Sequence, residues 1–422
     1  MAMVGGREGI EEGVRGGDRQ GPLCDVVIVD CTMALAGPFA GGLLADLGAD
    51  VIKVEPPTGD LSRGIPPHPK DFATPSSARE AGCDYGGYFA SINRGKRSVV
   101  LDLKDADDRE RLFQLCEQAD GLIENTRAGV MDRLGCGYEA IARRNPRIVY
   151  GAIRGFGDPR TGESPYVDWP AFDIVAQCMG GLAHINGPEG GHGFPAGASM
   201  GDLYPGTLLA LGMVSAIHHA RNSGEGQFLD IAMYDSIAYL CETLIANYSF
   251  ENRVLGPRGS GHPNLCPFDI FPTRDGGVAI AAPGPKHWEA LCETMDRPDL
   301  MTDERSRDLK ARVANRDYVT GELETWTLAH TKAEVTAALG GRVPCGPVNT
   351  AADLYADPHM AARDMIQPID LPGDNVPAAV MANPIKFTRT PARRVSSAPT
   401  LDEHRTQVFE EYALKDNEPA GD

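Results

Sequence analysis

Apolar residues in the first half of the chain alternate between two rhythms. Short β-branched runs at 24–30 (CDVVIVD), 50–55 (DVIKVE), 98–103 (SVVLDL), 121–124 and 147–153 read as buried strands. Between them, 39–47, 108–119 and 138–144 carry apolar residues at helical spacing. Strand, helix and strand within about thirty residues make a βαβ unit, and its repetition predicts an α/β fold class: a mostly parallel sheet with helices on both faces. The middle of the chain changes texture. Residues 158–201 are rich in Gly and Pro around an apolar segment at 172–183, and 204–220 and 231–248 read as longer helices split by the turn 222–227. After a Gly-rich stretch at 256–261, two strand-like runs, 268–271 and 278–282, are joined by 274–277 as a hairpin. Helical patterns at 286–295 and 332–339 complete a smaller α/β unit.

Composition narrows the partners. At 422 residues the chain is long enough for two or three domains at roughly 150 residues each. Lys and Arg number 40 against 59 Asp and Glu, a formal charge of −19. So acidic a surface does not coat nucleic acid or an anionic membrane, and an anionic ligand needs a locally basic or amide-lined pocket. The Cys residues form no C-x-x-C pair and no cluster with His, so no metal site is expected, and scattered thiols suit a reducing cytosol. Residues 1–21 lack an apolar core and read as a flexible tail. The stretch 203–217 contains Pro205 and falls short of the roughly 18 residues of a membrane span. A soluble cytoplasmic protein is expected.

Local motifs mostly dissolve on inspection. Gly95-Lys96-Arg97 lacks the upstream Gly and the closing Ser or Thr of a P-loop. Gly197-Ala198-Ser199-Met200-Gly201 matches a nucleophile elbow, but 189–195 (EGGHGFP) offers no strand to lead into it. Asp202 comes directly after and opens the apolar helical pattern LYPGTLLALGMVSAI. It is read either as a capping residue or as a functional carboxylate, and local sequence leaves both open.

Seven separated segments decide more than any one motif. They are 30–60 (DCTMALAGPFAGGLLADLGADVIKVEPPTGD), 93–104 (NRGKRSVVLDLK), 124–135 (ENTRAGVMDRLG), 145–157 (NPRIVYGAIRGFG), 172–182 (FDIVAQCMGGL), 197–206 (GASMGDLYPG) and 224–235 (GEGQFLDIAMYD). In this order they resemble the class III coenzyme A transferases, the family that also holds α-methylacyl-CoA racemase. The resemblance implies a large, doubly wound, Rossmann-like domain from 22–235 plus 350–415 and a small domain at 250–345. It also implies an interlocked homodimer, or a heteromer with a homologous subunit. It places the nucleophile at Asp202 and the coenzyme A contacts at Leu35, Ala36, Asn93, Arg94, Gly95, Lys96, Arg97, Asn125, Thr126, Arg127, Arg133, Ala171, Phe172 and Asp173. A mobile loop carrying Gly256, Gly259, Gly261 and His262 would close over the nucleophile; a plain linker is the other reading of that stretch.

Two departures stand out: Pro56 where some relatives have Arg, and Leu35 where formyl-CoA transferase has Gln. The activity implied is transfer of coenzyme A from a donor such as succinyl-CoA to an acceptor carboxylic acid, dicarboxylates among the candidates, through aspartyl anhydride and thioester intermediates. Racemisation is the rival. It needs a His and an Asp as opposed bases; Asp173 is present, but no His occurs between His68 and His184, and Glu139 occupies the neighbourhood where one belongs. A non-catalytic coenzyme A-binding subunit is the third reading.

Overall fold

The computed structural model describes residues 20–67, 85–371 and 374–414. Of the tail expected over 1–21, all but the last two residues lie outside the described ones. Two compact units divide the chain. The first takes the described residues of Met1–Leu182, Ala196–Glu242 and Ala362–Asp422; the second takes Ala183–Pro195 and Thr243–Ala361.

In the first unit β1 (Val27–Cys31), β2 (Asp50–Glu55), β3 (Arg97–Val100), β4 (Gly121–Glu124), β5 (Val149–Arg154) and β6 (Gln227–Ala232) form one sheet in the order β3-β2-β1-β4-β5-β6. Every neighbouring pair is parallel. The inner strands are buried at every position, which is why they read as continuous apolar runs. The sixth strand departs from expectation. Its sequence, QFLDIA, overlaps the start of the helical pattern at 231–248, but pairing with β5 along all six residues overrides that local preference. Helices Met233–Leu240 and Glu242–Glu251 come after it.

Alternate strand residues serve the two faces. Val27, Val29, Ile52, Val54 and Leu122 pack with Leu112 and Leu115 of the helix Ala106–Gln118, Ile141 of Tyr138–Arg144 and Val408 of Arg405–Glu411. The opposite face takes the helix Met200–Ser223, whose Leu209, Met213 and Ile217 are buried. A Cβ on Gly151 would stand 2.7 Å from both Leu209 Cδ1 and Met213 Sδ, so the missing side chain is what lets this helix lie directly on the sheet. At 24 residues it runs longer than the stretch read from sequence. Among the described residues it is the one helix long and apolar enough to cross a membrane, and it lays one buried face on the sheet.

Asp402, His404 and Arg405 return to β3, an edge strand. Val100 N–H donates to Asp402 Oδ1 at 2.7 Å, His404 N–H donates to Ser98 C=O at 3.0 Å, and Arg405 Nη1 donates to Val100 C=O at 2.8 Å. The second unit is built on the hairpin β7 (Phe268–Thr273) and β8 (Gly276–Ala281) with β9 (Cys345–Pro347) beside it. Its core gathers Phe271, Ile280, Trp288, Leu291, Leu323 and Leu339.

Candidate active site

Parallel sheets bind ligands at the carboxyl ends of their strands, in the crevice where strand order reverses. Here that point lies between β1 and β4, and a cavity of about 540 Å³ opens there. Its walls come from the residues at and just after each strand end: Cys31 and Met33 to Ala36 from β1, Glu55 and Pro56 from β2, Leu101 to Lys104 from β3, Asn125 to Ala128 from β4, and Arg154 with Gly155 from β5. Val167 and Trp169 to Phe172 form one side, and Asp202 reaches the same space.

Asp202 is the third residue of the helix Met200–Ser223. The cap position belongs to Ser199, whose side chain makes no capping bond, so the reading of Asp202 as an ordinary cap does not hold. Its carboxylate accepts no hydrogen bond from any described residue. Burial, with the Asp173 carboxylate adding to it, pushes its pKa up to about 7. Asp173 opens the helix Asp173–Met179 and accepts the Gly201 N–H at 2.7 Å. The two helix starts touch: a Cβ on Gly201 would stand 2.5 Å from the Asp173 carbonyl oxygen, which fixes glycine at the residue before Asp202. Burial and the carboxylates of Asp202, Asp173 and Asp60 push the Tyr88 phenol up, so it keeps its proton.

The loop after β1 is held at successive backbone groups. Asp30 accepts from Thr32 N–H at 2.9 Å, and Lys53 donates to Thr32 C=O at 2.9 Å. Asn125 Oδ1 accepts Met33 N–H at 2.8 Å while its Nδ2 donates to Met33 C=O at 2.7 Å. Asp60 accepts Ala34 N–H at 3.2 Å, and Ala34 sits at φ 68°, a costly conformation for a residue with a Cβ. The loop that carries Leu35 and Ala36 is therefore fixed before any ligand arrives.

The cations expected to contact coenzyme A sort into two sets. Lys96 is wholly buried, donating to Asp30 at 2.7 Å, Pro38 C=O at 2.8 Å and Asn93 Oδ1 at 2.9 Å. Arg94 pairs with Asp46 at 2.6 Å, and Arg97 pairs with Asp50 and, at 2.6 Å, with Glu411. Asn93 to Lys96 precede β3 and Arg97 opens it, so their charges are spent inside the fold, and none of Asn93 to Arg97 lines the cavity. The residues at the carboxyl end of β3 do line it, and Lys104 among them is exposed and forms no ion pair with a described residue. Arg127 is the second such cation on the lining. Arg133 is exposed one turn away, off the lining. Of the other expected contacts, Leu35, Ala36, Asn125, Thr126, Ala171 and Phe172 line the cavity, while the Asp173 carboxylate is taken up by Gly201 and Gln177. Lys104 lay within reach of the sequence, since it stands at the carboxyl end of the buried run SVVLDL, where a parallel strand meets its ligand.

Comparison with known proteins shows the family of the chain. The sequence profile described as CoA-transferase family III matches residues 23–405. The chain belongs to that family. It is 44% identical to succinyl-CoA:mesaconate CoA-transferase of Haloarcula marismortui, over 93% of this chain and 97% of that one. It is 34% identical to succinate–glutarate CoA-transferase of Agrobacterium fabrum, over 93% and 96%. A CAIB/BAIF family protein from Brucella suis superposes with a TM-score of 0.81 at 32% identity, covering 93% of this chain and all of the other. This CoA-transferase takes an acyl-CoA and a carboxylic acid as substrates.

The stand-in base of the racemase reading is not at this transferase's cavity. Glu139 is exposed, and both its oxygens are held by Arg160 at 2.7 Å. In the second unit Gly256 and Gly259 have open space where a Cβ would stand, while Gly261 lies against Asp269. Gly259 N–H donates to Gly187 C=O at 2.7 Å. The His262 ring stands 5.3 Å from that of Phe268 and its Nδ1 accepts Asn264 N–H at 3.2 Å, while Arg316 holds His262 C=O at 2.7 Å.

Proposed function

We propose that this enzyme moves coenzyme A from succinyl-CoA to a dicarboxylic acid of the mesaconate class, with Asp202 as the nucleophile. The observation that carries the reading is the Asp202 carboxylate, free of hydrogen bonds from described residues, in the same cavity as Lys104 and Arg127, which form no ion pair with a described residue. The carboxylate end suits a thioester and the cations suit the phosphates of coenzyme A.

In the first step an Asp202 oxygen attacks the succinyl carbonyl; the C–S bond breaks, coenzyme A leaves as thiolate, and a mixed anhydride remains. The thiolate attacks the aspartyl carbonyl, releasing succinate and leaving an aspartyl-CoA thioester. The acceptor carboxylate then attacks that thioester carbonyl, giving a second anhydride and free thiolate. Attack of the thiolate on the acceptor's acyl carbon yields the new acyl-CoA and restores Asp202. Each step develops an oxyanion that needs fixed donors; the Tyr88 hydroxyl and the amides of the rigid loop after β1 are the candidates. Anhydrides hydrolyse readily, so water must be kept out while they exist. The stretch 256–262 is assigned that task.

The functional unit is proposed to be a dimer. The helix Glu242–Glu251 buries none of its residues in this chain and exposes Ile245, Tyr248 and Phe250, apolar side chains for a second copy to cover. The catalytic reading is tested by mass spectrometry of the enzyme incubated with succinyl-CoA and trapped with hydroxylamine. A hydroxamate on Asp202 is expected, and D202A is expected to lose both adduct and exchange. Full exchange by D202A refutes it.

A further inference from the structure

Gln177 is fully buried in the helix Asp173–Met179, and no step of the proposed chemistry uses it. Its Nε2 donates to both Asp173 oxygens, each at 3.0 Å, and its Oε1 accepts the Ala196 N–H at 2.8 Å. Asp173 in turn accepts the Gly201 N–H at 2.7 Å. Amides at a helix start have no acceptor within the helix, and the Ser199 side chain supplies none. A carboxylate from another helix does so, and one buried amide orients that carboxylate.

We propose that Gln177 is a positioning residue of the transfer reaction: it holds the Asp173 carboxylate as acceptor for the Gly201 N–H and so fixes the turn that carries Asp202. The inference rests on Asp202 as nucleophile. The place requires a carboxamide, because one end must donate to an anion and the other must accept from the Ala196 amide. Glu would set a second anion against Asp173, and Leu would fill the volume without either bond.

The clamp has an electrostatic consequence. The Asp173 charge beside Asp202 helps burial to hold its proton affinity up, so neutralising or swinging Asp173 away lets the nucleophile ionise at lower pH. The other titratable groups on the cavity wall are Cys31, Glu55, Asp102, Lys104, Arg127 and Arg154, with Tyr88 near Asp202; the variants Q177L, D173N and D202A leave them all in place.

The test measures exchange between succinyl-CoA and mesaconate by the full-length enzyme and these three variants from pH 5.5 to 9. Q177L is expected to lower kcat roughly 10²-fold, the scale of a misplaced reacting group, with KM for succinyl-CoA within about threefold. The acid limb of its kcat/KM profile moves to lower pH. D173N keeps an acceptor for Gly201 and loses the charge; its limb falls by about one pH unit with a smaller loss of kcat. An unmoved limb in Q177L, or in D173N where Q177L does not fold, overturns the positioning role. An inactive D202A in the same series leaves the nucleophile standing, whereas an active one overturns both.

Discussion

Asn125 clasps Met33 by both of its backbone groups, accepting the N–H at 2.8 Å and donating to the C=O at 2.7 Å. These two bonds join the ends of β1 and β4 across the point where strand order reverses, and they set the wall from which Leu35 and Ala36 face the cavity. N125A is therefore expected to cost about 1–3 kcal/mol of stability and to raise KM for the acyl-CoA more than it lowers kcat. N125D, which turns the donor into an acceptor facing a carbonyl, should be at least as damaging. Thermal melts with steady-state kinetics check both; a wild-type KM in N125A refutes the role.

In the proposed mechanism Asp202, with its pKa near 7, attacks only when ionised, so kcat/KM for the donor should rise through about pH 7 in the free enzyme. The same raised value carries a stability cost. The folded state holds the Asp202 proton to higher pH than the unfolded state does, so stability declines as pH climbs from about 4 to 7, by up to about 1.4 kcal/mol for each pH unit crossed. D202N should melt above the wild type at pH 8, with the difference closing toward pH 4. Equal midpoints at pH 8 would contradict this.

Lys104 and Lys96 should fail in opposite ways. K104A, and R127A with it, is expected to raise KM for acyl-CoA about tenfold or more, with weaker salt dependence of binding and unchanged melting. K96M removes the cation that donates to the buried Asp30 carboxylate and should cost about 3–5 kcal/mol in folding. Melting and substrate titration of the two variants side by side distinguish the roles; a stable K96M with raised KM would reverse the assignment.

Glu139 should be dispensable for chemistry. E139Q is expected to keep kcat within about twofold, since its partner is Arg160 and not the substrate cavity. A chiral 2-methylacyl-CoA incubated with the wild type in heavy water should gain no deuterium at the α carbon. Incorporation that disappears in E139Q would restore the racemase reading.

Buried parallel strands announce themselves, and β2 and β4 run where the pattern put them. β6 did not, because its identity comes from pairing with β5 and not from its own alternation. At the cavity, the Gly-Asp step opening an apolar helix singles out Asp202 but leaves cap and functional carboxylate both open; the fold takes the cap position away from it and turns it to the cavity. Lys96 and Arg97 look free in the sequence and are ion-paired in the fold, for a physical reason. A cation in sequence shows its charge but not its counter-ion, and Asp30, 66 residues away from Lys96, is visible only in the fold. Gln177 was invisible for the same reason, since its bonds to Asp173 and Ala196 span two separate segments.

The bonds from Asp402, His404 and Arg405 to the outer edge of β3 have a consequence for biosynthesis. Residues 97–100 leave the ribosome some three hundred residues before their edge partners, so the nascent sheet carries an open strand edge while those residues are made. Chains stopped short of residue 402 would keep that edge uncovered permanently. For this enzyme three residues, made some three hundred positions after β3, are the ones that shut its outer edge against neighbours in the cell.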